Sequence, residues 1–168
     1  MFDTQMRAIY ASGMTPAIRY LQKQKIPFRI HRYVVDGAGT SYGSDAAKAL
    51  NIPPSEIFKT LVVSLKDNRF AVAIIPVSEK LCLKSMAKAV GAKAANMADG
   101  AIVERMTGYV LGGVSPLGQK KRLITRIAMS AKDKSTIYIS GGKRGLEIEI
   151  SPTALQECLS AKFENITA

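Results

Sequence analysis

The chain has 168 residues, 47% of them hydrophobic and 22% charged, with a formal net charge of +11. That length fits one domain able to bury a single core, and the apolar share excludes a disordered chain. No apolar run approaches the roughly 20 residues that a spanning helix needs.

Residues 1–13, "MFDTQMRAIYASG", lack the continuous apolar segment of a signal peptide. They read as a short N-terminal extension, or an upstream start, ahead of a domain over residues 14–168. "MTPAIRYLQKQK" begins a helix, with Thr15 as N-cap and Pro16 as its first residue. "PFRIHRYVV" reads as a strand, "SDAAKAL" as a short helix capped by Ser44, and "IPPSEIF" as a helical turn. "KTLVVSL" and "RFAVAIIPV", separated by "KDN", form a predicted hairpin. "KSMAKAV" is helical and stops at Gly91, and "ADGAIVERM" is a second short helix with Asp99 near its start. "YVLGGVSP", "RLITRIAMS", "STIYIS" and "LEIEIS" read as strands, and "PTALQECLSA" closes with a helix. In "LEIEIS", Glu147 and Glu149 alternate with Leu146, Ile148 and Ile150, which predicts one wet face. The fold class is α/β (α+β): a twisted, mostly antiparallel mixed sheet with several short helices.

The charge points to a polyanionic partner, the alternative being a basic protein without one. Its distribution favours the partner: from position 119 to 144 there are eight cations, among them Lys120, Lys121, Arg122, Lys143 and Arg144, against the single acid Asp133. Two cysteines, Cys82 and Cys158, lie far apart, and with one histidine in the chain no metal site is expected. Cys158 reads as core. Reduced thiols without an export signal predict a cytoplasmic protein.

Catalytic machinery of the common kinds is poorly represented. His31 sits inside a strand and reads as a structural histidine. Lys59 lies on a strand face with Leu61, Val63 and Leu65, so its ammonium either snorkels to water or enters a pocket, with Thr60 on the opposite face. "GGKRG" lacks the spacing of a nucleoside-triphosphate loop, and "GAGTSYG" misses the dinucleotide spacing by one residue. "GGVSPLGQKKR" and "SGGKRG" nonetheless set glycine amides beside cations. Two such loops in one small basic domain favour a ligand over a pair of tight turns.

The segments "MTPAIRYLQKQKIPFRIH", "FKTLVV", "GYVLGGVSPLGQKKR" and "SGGKRGLEIEISP" resemble, in order, the YbaK/EbsC family of bacterial Cys-tRNA(Pro) deacylases, from Met14 to about Ile166. These share their fold with the editing domain of bacterial prolyl-tRNA synthetases. The resemblance implies a trans-editing deacylase that clears tRNA(Pro) mischarged with cysteine, without a cofactor or a membrane, in a ternary complex with prolyl-tRNA synthetase. A second sieve is useful because binding alone discriminates small side chains by only about 1–3 kcal/mol. The resemblance makes Lys59 the residue that positions the aminoacyl-adenosine end. It sets Gly112 of the 112–116 loop against the aminoacyl group. Tyr33, Tyr42, Thr60, Gly113, Ser115, Pro116, Ser140, Gly141, Gly142 and Glu147 become pocket residues. Lys120, Lys121, Arg122, Lys143 and Arg144 become phosphate contacts. It also implies that the substrate's own sulfur attacks the ester carbonyl, which suits a chain without an evident base or nucleophile. Two alternatives stand beside it: an Ala-tRNA(Pro) hydrolase of the same fold, and a non-catalytic tRNA- or nucleotide-binding module.

Overall fold

The computed structural model describes residues 13–35 and 42–168, and of Tyr42 the backbone alone. The extension assigned to residues 1–13, apart from Gly13, and most of "GAGTSYG" lie outside the described residues.

Thr15 caps α1 (Pro16–Lys23) as its hydroxyl allows, accepting from the Ile18 amide at 3.3 Å, with Pro16 at the start of the helix. Chain order then runs through β1 (Arg29–Arg32), α2 (Tyr42–Leu50), the hairpin β2 (Phe58–Leu65) and β3 (Phe70–Pro76), and α3 (Leu83–Ala89). It continues through β4 (Ala95–Met97), α4 (Gly100–Thr107) and β5 (Ile124–Ala128), which runs into a 3-10 turn, Met129–Ala131. The chain ends with β6 (Ile137–Ser140), β7 (Leu146–Ile150), α5 (Pro152–Leu159) and β8 (Lys162–Glu164).

The strands divide into two sheets rather than one. Antiparallel β1-β7-β6 is the smaller; β4-β2-β3-β5-β8 is the larger and is parallel at β3-β5 and β5-β8. Both parallel pairs join strands separated by a long crossover, as parallel pairing requires. The remaining pairs are antiparallel, as expected. A bridge between Ile57 and Tyr138 ties the sheets together, with the Tyr138 amide donating to the Glu56 carbonyl at 3.0 Å. β3 is flanked on both sides and buries everything from Ala71 to Pro76, while β2 buries Phe58, Val62, Val63 and Leu65 against it.

Several boundaries differ from the expectation. "YVLGGVSP" is not a strand: after α4 it coils and turns, because Tyr109 is drawn inward and its hydroxyl donates to the Leu117 carbonyl at 2.5 Å. Ser44 lies inside α2 rather than capping it. β5 takes only the middle of "RLITRIAMS". Strands β4 and β8 carry three residues each, too few to show a period.

Candidate functional site

The outer half of β2 faces a cavity of about 600 Å³. Lys59, Thr60 and Leu61 form one wall, Ser140 and Glu147 of the smaller sheet another, and Leu111, Gly112 and Val114 of the long loop a third. Tyr33 and the edge of α2 at Gly43 and Ser44 complete it. The two sheets meet here because the Ile57–Tyr138 bridge sets the start of β2 beside β6. Val77, Met97 and Val103 make much of the remaining lining apolar.

Two ionisable side chains of opposite sign enter this cavity, and neither is paired. The ion pairs among the described residues are His31–Glu149 and Arg69–Asp67, both elsewhere. Burial holds the Lys59 ammonium below its usual range, and the nearby Lys80 charge adds to the effect. Lys59 lines the cavity, as the pocket alternative of the strand reading requires. Glu147 is only 7% exposed, and desolvation pushes its carboxyl up to about 8. Its Oε2 has no hydrogen-bond partner, and neither does the buried Thr60 Oγ1. Tyr33 stands beside Glu147; burial first, and the Glu147 charge second, raise its phenol.

Glu147 corrects the expectation of a wet strand face. It does share a face with Glu149, but register sets it between Ser140 on β6 and His31 on β1, at the covered end of the sheet. Glu149, at the open end, is half-buried. Desolvation raises its carboxyl, but the hydroxyl of Thr136 at 2.6 Å and the His31 imidazole outweigh this and hold it low. His31 is accounted for by that contact: Nε2 lies 2.9 Å from Glu149 Oε1, and the ring meets Tyr138 edge-on at 5.2 Å. It does not line the cavity.

The glycine-rich loops divide their work. Gly112, at φ +90, adopts a backbone that favours glycine and lines the cavity. Gly113 does not line it; a Cβ there would lie 2.6 Å from the Lys143 Cα. Gly118 similarly approaches the Pro16 carbonyl oxygen, and Gly142 the Tyr109 ring. The Thr15 hydroxyl donates to the Gly141 carbonyl at 2.6 Å. Start of α1, long loop and β6–β7 turn are thus fastened closely, backbone to backbone at Gly113 and Gly118, where a side chain would not fit.

Ser115 and Pro116 do not reach the cavity. Ser115 is fully buried and its hydroxyl accepts from the Leu117 amide at 3.3 Å. Pro116 turns to a second, smaller groove of about 200 Å³. Gly141 and Gly142 likewise stand behind the wall rather than in it. Tyr42's side chain lies outside the described residues.

The cations separate too. Lys121 and Arg122 line the smaller groove with Tyr20 and Cys158, and Arg122 donates to the Ser160 hydroxyl at 2.9 Å. Lys120 is exposed and lines neither recess. The chain leaves the Lys59 cavity after Val114, so "QKKR" does not line it. Lys143 packs its backbone on the loop, and the Arg144 charge reaches Tyr33. Lys80, Met97 and Val77 were not singled out from sequence, since isolated residues on separate elements carry no motif.

Neither thiol enters the cavity. Cys158 is half-buried, and burial pushes its thiol up to about 11. Cys82 accepts from the Ser85 hydroxyl at 3.1 Å. Among the described residues no three potential metal ligands cluster, and no helix is long and apolar enough to cross a membrane.

What these walls define is a largely apolar recess with one cation and one buried carboxyl, on an α/β scaffold. The chain as a whole is similar to known proteins. Residues 38–158 match the model of the aminoacyl-tRNA editing domain. A protein of Enterococcus faecalis named "Putative Cys-tRNA(Pro)/Cys-tRNA(Cys) deacylase EbsC" is 37% identical over 91% of this chain and 93% of its own. The crystal structure of "a putative trans-editing enzyme for prolyl tRNA synthetase" superposes with a TM-score of 0.79 at 19% identity, covering 93% of this chain and 99% of that one. That of a hypothetical protein reaches 0.83 at 23% identity, over 92% and 100%. The chain belongs to the aminoacyl-tRNA editing domain family, a family of aminoacyl-tRNA deacylases.

Proposed function

We propose that this protein is a trans-editing deacylase that removes cysteine from mischarged tRNA(Pro), and that the Lys59 cavity is its active site. The observation that carries the reading is the pairing of an unpartnered, partly desolvated Lys59 with the cavity-lining Gly112 backbone. The ammonium of Lys59 would hold oxygens of the terminal ribose or phosphate, and the loop backbone at Gly112 would orient the aminoacyl group.

Chemistry falls to the substrate. Its side-chain sulfur attacks the ester carbonyl and the bond from carbonyl carbon to ribose oxygen breaks. The thiol proton ends on the ribose hydroxyl, and cysteine leaves as a thiolactone. Cys82 and Cys158, outside the cavity, take no part. Exposed Lys120, Lys121, Arg122 and Lys143 would contact tRNA phosphates in a salt-dependent way that reads little sequence. Selection of tRNA(Pro) would come from a ternary complex with prolyl-tRNA synthetase, and the site of action would be the cytoplasm.

Deacylation of Cys-tRNA(Pro), Ala-tRNA(Pro) and Ser-tRNA(Pro), side by side with product identification, tests this. Rapid loss of cysteine alone, as thiolactone, is expected. Release of alanine or serine as the free acid would make the protein a hydrolytic editor, and binding without turnover would make it a tRNA-binding module.

A further inference from the structure

The cavity carries a polarity that substrate positioning by Lys59 leaves unexplained. Glu147 of β7 lines the cavity, its Oε2 buried and without a hydrogen-bond partner. Thr60 Oγ1, on β2, is likewise buried and unsatisfied. Leaving a buried polar atom unpaired is costly, so two such atoms beside one cavity suit a polar group of the ligand. Ser140, across the register from Glu147, already accepts from the Gly142 amide at 3.2 Å. No cation of the protein forms an ion pair with Glu147 among the described residues, Lys59 included.

An aminoacyl ester has one group that matches, the α-amino nitrogen, which lies next to the carbonyl to be released. Resting on the deacylase reading above, we infer that Glu147, assisted by Thr60, binds the α-ammonium of the aminoacyl group. The protein then requires a free amine on its substrate. An amine titrates near 7.7–8.0 when it is an α-amino group. Burial raises the Glu147 carboxyl, so without a partner it favours its neutral form. Below its own range the amine already carries its proton, so pairing with it makes Glu147 give up to water the proton that burial holds on it. Lys59 on β2 and Glu147 on β7 give the recess a cationic and an acidic wall. A ligand with oxygens at one end and an ammonium at the other enters in one orientation.

The test uses the full-length protein and two stable adenosine analogues, each with the ester replaced by an amide. One carries cysteine; the other carries the same chain without the α-amino group. Titration calorimetry of wild type should give affinity about 10- to 100-fold higher for the amine, the range of a charge-assisted hydrogen bond. Glu147→Gln, which keeps the shape, should bind both analogues equally at the weaker level, and Thr60→Val should lose part of the preference. Equal binding of the two analogues by wild type, or a preference retained in Glu147→Gln, overturns the inference even if Cys-tRNA(Pro) is deacylated. If wild type binds neither analogue, the cavity is not the aminoacyl site and both readings fall.

Discussion

Lys59 and Glu147 show how one environment acts on opposite charges. Desolvation lowers the first and raises the second, each toward its neutral form. For Glu147 the consequence extends to stability. Its carboxyl moves from 4.5 to about 8 on folding. Between those values the folded chain holds a proton that the unfolded chain has released. Stability from this group is therefore full below the unfolded value and is lost as pH rises through the folded one, at up to roughly 1.4 kcal/mol per pH unit. Urea unfolding of wild type across that range should show the decline, and Glu147→Gln should be flatter and more stable than wild type at the alkaline end. Parallel profiles would mean that Glu147 is ionised and compensated in the fold. His31 shows the opposite outcome. Its diagonal contact with Glu149, two residues along β7 from its register partner Glu147, gives it a structural role, as its place inside a strand suggested.

At the scale of elements, the long loop is held by close backbone approaches as well as by its own hydrogen bonds. Gly113→Ala would press a methyl onto the Lys143 backbone, at 2.6 Å from Cα. Backbone on both sides leaves little room to relax, so a loss of about 1–3 kcal/mol is expected. Gly91→Ala is the control: φ is +70 but nothing lies within 4 Å, so only the left-handed strain of about 1–2 kcal/mol applies. Thermal unfolding of the two variants separates crowding from strain; a Gly113→Ala protein as stable as wild type would show that the loop does not need that contact.

The elements also show what could be read in advance. Strong local signals held: the Thr15-Pro16 start, the β2–β3 hairpin, the stop at Gly91 and the closing helix. Their causes lie within a few residues. The division into two sheets was not legible, because it depends on which distant strands pair. "YVLGGVSP" was misread for a related reason: its apolar residues look like a strand, but Tyr109 is anchored to Leu117 by the loop's own path. In the site, Lys59, Thr60, Tyr33, Ser140, Gly112 and Glu147 do converge. Ser115, Pro116, Gly113, Gly141 and Gly142 support the wall instead. A glycine motif does not distinguish contact with a ligand from contact with another loop, since both need a bare backbone.

For the whole molecule, charge and cavity are separable features. The net charge of +11 provides a general attraction for a polyanion, and Lys121 and Arg122 hold part of it at a groove of their own. Nothing in that attraction breaks an ester. Discrimination and turnover are assigned to one recess between two sheets, formed only when the β2 edge, the β6–β7 wall and the loop at Gly112 are assembled together. The account thus stands on Lys59, the cation in that recess. Its most direct test is the rate of Cys-tRNA(Pro) deacylation by Lys59→Ala, with circular dichroism and thermal unfolding confirming the fold and a filter assay measuring tRNA affinity. The account predicts a folded protein whose tRNA binding is largely kept and whose turnover is lost. A folded Lys59→Ala protein that clears Cys-tRNA(Pro) at a near-normal rate would contradict it and move the active site elsewhere.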